Sequence, residues 1–150
     1  MINRLTLCIG LCFGFILSAT SAQATPHDTS CGLLDALGSN NIDAIESSLN
    51  DAASSWLPES KAAAAQSLTK LAADVAFNGG TVYQVTELGD DLVEHLVVLR
   101  LSKGDVHGMV LRYTWSPEGL SLTGMDYKQK LEDLRLLALS TPAVRLSCDG

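Results

Sequence analysis

LVEHLVVLRLSKGDVHGMVLRYTW, residues Leu92 to Trp115, decides how this chain is read. Two runs of alternating side chains flank Ser102-Lys103-Gly104. A three-residue loop with Gly104 in the left-handed conformation pairs Leu101 with Asp105, which fixes the register of an antiparallel hairpin. One face of that hairpin then carries Val93, His95, Val97, Leu99 and Leu101 beside His107, Met109, Leu111, Tyr113 and Trp115. The other carries Leu92, Glu94, Leu96, Val98 and Arg100 beside Val106, Gly108, Val110, Arg112 and Thr114. The first face is richer in large apolar groups and is expected to meet the helices. The second stays apolar around Leu96, Val98 and Val110, so it calls for a cover, either a partner (a second copy in a homodimer through the sheet face) or the C-terminal segment.

Working outward, Thr81 to Glu87 and Leu120 to Asp126 also alternate and read as strands. Leu88-Gly89-Asp90-Asp91 and Ser116-Pro117-Glu118-Gly119 punctuate them, the latter with the Pro and Gly placement of a type I turn. Such short turns predict a four-stranded antiparallel meander. Upstream the period is helical. Cys31 to Leu37 is a short helix ending at Gly38, and Ile42 to Ala53 follows a cap at Asn40 or Asn41. A third helix starts at Pro58 and runs to Phe77, stopped by Asn78-Gly79-Gly80. Downstream, Leu131, Leu134, Leu137 and Ala138 predict an extra C-terminal helix over Tyr127 to Leu139. The fold class is therefore α+β, one domain from residue 25 to residue 150, with helices packed on an antiparallel sheet.

The first residues are an address. Arg4 precedes an apolar core from Leu5 to Leu17, and a small-residue tail ends in Ala22-Gln23-Ala24. That is the pattern of a signal peptide cleaved after Ala24, and the apolar core is too short to span a bilayer comfortably. The expected location is periplasmic or secreted, with no membrane span after cleavage. Cys8 and Cys12 leave with the leader, so Cys31 and Cys148 remain. In an oxidising compartment they read as one disulfide closing nearly the whole chain, against two free thiols or an intermolecular bridge. The bond would return the tail from Ala143 to Cys148 to the first helix.

The chain has 150 residues, a formal charge of −7 and a pI near 4.7. An acidic balance of this kind speaks against nucleic acid as a partner, which requires a basic face. Hydrophobic content of 47% and mean hydropathy of +0.20 are raised by the leader.

Three stretches carry a family resemblance: LLDALGSNNIDAIESSL (Leu33 to Leu49), VYQVTELGDDLVEHLVVLRL (Val82 to Leu101) and VHGMVLRYTWSPEGLSLTGMDY (Val106 to Tyr127). Helix, polar break, helix, then a long strand pair and a hairpin resemble the NTF2-like, or cystatin-like cone, superfamily. The resemblance implies a curved sheet with helices at its concave face and a pocket there. It implies no particular reaction, because the fold hosts isomerases, dehydratases, transport factors and non-catalytic domains.

No nucleophile elbow, phosphate loop, dinucleotide fingerprint or helical zinc motif occurs, and no cofactor is expected. The register puts His95 and His107 roughly 13 Å apart, too far for one ion. His27, third after the expected cleavage point, is denied an amino-terminal copper or nickel site because Pro26 lacks an N–H, and reads as a flexible tail. No metal is expected. Acid–base chemistry would rest on His95, with Tyr113 and Asp126 as companions. Trp56, Tyr83, His95, Met109, Tyr113 and Trp115 are the candidate lining of an apolar ligand pocket, although core packing explains the same residues. Glu87, Asp90, Asp91 and Glu94 bracket a turn and read as a solvated acidic hairpin tip. The leading expectation is a non-enzymatic exported domain binding a small apolar ligand or a protein partner. An acidic inhibitor or immunity-type module, and a small lyase or isomerase, are the alternatives.

Overall fold

The computed structural model describes residues 24–89, 91–117, 119–135 and 142–148. The expected signal peptide, apart from Ala24, lies outside them. Three helices, α1 (Pro26–Gly38), α2 (Ile42–Ala52) and α3 (Pro58–Asp74), precede the strands β1 (Phe77–Leu88), β2 (Leu92–Leu101), β3 (Val106–Ser116) and β4 (Gly119–Lys128). A short β5 (Val144–Leu146) completes an antiparallel sheet in the order β4-β3-β2-β1-β5. The sheet thus has five strands where the pattern of turns predicts four. The added strand is three residues long and pairs with Val82, Tyr83 and Gln84, a non-local match that alternation alone cannot reveal.

The central hairpin has the expected register. Leu99 faces His107, Val93 faces Tyr113, and the Leu101 amide donates to the Asp105 carbonyl across a loop with Gly104 at φ 92°. Val97, Leu99, Met109 and Leu111 are fully buried on the inner face, where Leu33 and Leu37 of α1, Ile45 and Leu49 of α2 and Leu68 of α3 meet them. Irregularities in pairing between Phe77 and Gly80, between Gln84 and Thr86, and at Arg112/Tyr113 interrupt the ladders, and such bulges bend and twist strands.

Several boundaries differ from the sequence reading, each for a local reason. Helix α1 begins five residues early, because Thr25 caps it: its Oγ1 accepts from the Asp28 amide while the Asp28 carboxylate accepts from the Thr25 amide. His27 is accordingly helical and is no flexible tail. Helix α3 ends at Asp74, since Val75 is already extended, and β1 runs straight through the glycines. Gly80 is required there, as a Cβ would come within 2.5 Å of the Val98 carbonyl oxygen and 2.6 Å of Leu34.

The largest correction is at the C-terminal side. Tyr127 and Lys128 belong to β4, and Leu131–Asp133 forms one 3-10 turn where a helix over Tyr127 to Leu139 was expected. Residues 136–139 of that span lie outside the described ones. Leu131 and Leu134 pack on the outer face over Gly108, where an added Cβ would force the tips of both to shift. Arg112 of β3 donates to the Arg135 carbonyl. The segment after β4 therefore lies across the outer face before the chain reaches the opposite edge as β5. A bond between Cys31 and Cys148, 117 residues apart, then ties β5 to α1.

Candidate functional site

The inner face of β2 and β3 presents His95 and Tyr113 toward the first turns of α1. Because α1 is capped at Thr25, its second turn delivers Ser30 between them. Ser30 Oγ lies 2.8 Å from His95 Nδ1 and 2.8 Å from the Tyr113 hydroxyl, and the two rings meet edge to face at 5.5 Å. All three residues are buried, with 1% of His95 exposed. Two proton orders suit the neutral ring: either Tyr113 donates to Ser30 and Ser30 donates to Nδ1, or Nδ1–H donates to Ser30 and Ser30 donates to Tyr113. The network pins α1 to the sheet and leaves none of its members aimed at solvent.

Burial pushes the His95 pKa from 6.5 to about 4; the charge of His27 adds to this, while the Pro26 carbonyl opposes it. Burial likewise raises the Tyr113 phenol, against the hydrogen bond it shares with Ser30. The sign of the stability effect follows. The unfolded chain takes up a proton as pH falls through 6.5, and the native ring refuses it until about 4. His95 stabilises the fold fully above pH 6.5, and that contribution drains away as pH falls toward 4. The expected loss is about 3 kcal/mol across the window. Urea unfolding at stepped pH should show this slope, and His95→Gln should flatten it. An unchanged slope in the variant would assign the acid lability to other groups.

Other candidates are dispersed. Asp126 sits on the outer face opposite Val110, 2.8 Å from Lys128 Nζ, across the sheet from His95. Met109 is buried in the core. Tyr83 pairs with Leu96 and Arg145 on the outer face, Trp56 packs at the edge of the core, and Trp115 is 60% exposed. Of the six pocket candidates the fold joins only His95, Met109 and Tyr113, and it packs them inside. His107 bonds the Tyr127 hydroxyl, a separate pair in register with Leu99. The acidic tip is corrected at one position: Glu94 is wholly buried on the outer face, 2.6 Å from Arg112 Nε and 3.2 Å from Thr86 Oγ1. Glu87 and Asp91 remain exposed.

A hollow lies elsewhere, between α2 and α3. It measures about 570 Å³. Ile42, Leu49, Pro58 and Ala65 give it apolar walls, while Glu46, Asn50, Lys61, Gln66 and Thr69 supply polar groups. A smaller hollow of about 280 Å³ lies between α3 and β4, lined by Leu68, Leu71, Met125 and Tyr127 among others. Ser30, His95 and Tyr113 line neither. Sequence reasoning passed over both the groove and Ser30. The groove is a product of helix crossing, for which one sequence carries no local signal. Ser30 could have been found from Thr25-Pro26-His27-Asp28, whose capping box starts the helix early enough to include it.

No protein-family model, curated protein or solved structure matches the chain.

Proposed function

We propose that this chain is an exported, non-enzymatic domain of NTF2-like type that binds a small apolar ligand in the groove between α2 and α3. The observation that carries the reading is the groove itself. Its volume of about 570 Å³ falls in the range of small-molecule sites, and its lining sets Ile42, Leu49, Pro58 and Ala65 beside five polar side chains. Three helices on one face of an irregular antiparallel sheet support the family assignment, and the bond between Cys31 and Cys148 supports export. A binding role is favoured over a lyase or isomerase because His95 is buried in the core and bonded to Ser30, where substrate does not reach it.

Ala62 is exposed on the rim of the groove, so Ala62→Trp should fill it without disturbing the core. Native mass spectrometry of the protein purified from its own compartment should show a retained adduct of small-molecule mass. The variant should lose it at unchanged thermal stability. A bare wild-type mass, or an adduct that survives Ala62→Trp, would overturn the assignment.

A further inference from the structure

We propose that the reduced protein holds a zinc-type divalent ion between Cys31, Cys148 and His27, so that the disulfide and the metal are alternative closures of the same point in the fold. His27 and Cys31 stand one helical turn apart on α1, and β5 delivers Cys148 to the same place. The His27 Nε2 and the two Sγ atoms all lie within 4.8 Å of one another. His27 Nε2 is 3.5 Å from Cys31 Sγ. That separation is already the edge of a tetrahedron, about 3.5 Å when zinc–sulfur is about 2.3 Å and zinc–nitrogen about 2.1 Å.

A carboxylate also lies on the far side of the imidazole. Asp28 Oδ1 is 3.8 Å from His27 Nδ1, beyond hydrogen-bond distance, while the other Asp28 oxygen is held by Thr25. The Nδ1 side is where the negatively charged partner of a zinc-bound histidine ordinarily stands. In the oxidised protein Nε2 instead faces the Ser147 carbonyl at 2.8 Å. Cys148 and His27 are half-buried, so both can turn toward an ion.

The balance is simple. A dithiol reductant transfers two electrons and two protons to the Cys31–Cys148 bond and becomes a disulfide itself, leaving two thiols. The ion then displaces one proton from each thiol and binds the neutral imidazole, with water in the fourth position. Two thiolates with one imidazole select a borderline-soft ion such as Zn²⁺ over Mg²⁺ or Ca²⁺.

The test uses Co²⁺ as a spectroscopic stand-in for zinc. The full chain is reduced anaerobically with a dithiol, freed of reductant and titrated. The expected result is one equivalent bound, with thiolate-to-cobalt charge transfer and tetrahedral d–d bands, both bleached by Zn²⁺. The oxidised protein should show neither band, and Cys148→Ser should abolish both. Reduced His27→Ala should bind at least tenfold more weakly. Circular dichroism on the same samples reports whether the reduced chain is folded before the ion or becomes so on binding it. No tetrahedral cobalt spectrum in the reduced protein would overturn the proposal. So would equal affinity in His27→Ala, which would mean that two thiols capture the ion without the imidazole.

Discussion

Replacing Cys31 and Cys148 together by serine should lower the unfolding free energy by about 5 kcal/mol, the largest single effect expected in this molecule. The two sulfurs are 117 residues apart, and constraining a loop of that length removes about this much from the unfolded chain in the entropic account. The loss is a large share of the stability of an ordinary domain. It should also be unevenly felt. Strand β5 has three residues, pairs with β1 and is tied by the Cys148 bond that follows it, so it should be the first element to detach. Urea unfolding of the double variant against wild type measures the total, and amide exchange at Val144 and Leu146 measures the local part. A fall in stability below about 1 kcal/mol would mean that the unfolded chain is already held compact.

Arg112→Met should cost about 3–5 kcal/mol, because it leaves the carboxylate of Glu94 inside the protein without its cation. Glu94 is wholly buried and meets Arg112 Nε at 2.6 Å. The same guanidinium donates to the Arg135 carbonyl, so the substitution also releases the segment that crosses the outer face. The two contributions separate in a second variant. Combining Arg112→Met with Glu94→Leu replaces the pair by apolar groups and should recover most of the loss, since the buried charge is gone. If the double variant stays as unstable as the single one, the contact with Arg135 carries the effect.

What could be read from the chain alone follows a physical boundary. Leu92 to Trp115 was legible because a hairpin sets its own register through a loop of three residues, and one face is much more apolar than the other. A cap at Asn40 or Asn41, of which the fold uses Asn41, and the start at Pro58 were legible for the same reason, being decided within a few residues. The leucines after β4 were misleading in an instructive way. Leu131 and Leu134 are three apart, a spacing that an α-helix and a 3-10 turn both place on one side. Here the turn aligns them over Gly108, so the pattern was real and its period ambiguous. Glu94 looked like part of an acidic tip because its cation, Arg112, lies 18 residues away. The Ser30–His95–Tyr113 network joins residues from opposite ends of the fold, separated by 65 and 83 positions. His95 and Tyr113 could be placed on one face, but no pattern announced the hydroxyl between them.

The closure between α1 and β5 also makes the molecule an unusual mechanical element. Tension applied at Pro26 and Cys148 enters the Cys31–Cys148 bond directly, so the strands carry none of it while the bond is intact. Such a domain behaves as a rigid link in a chain under load. Once the bond is reduced, the same pull would reach β5, peel it from β1 and release about 400 Å of polypeptide.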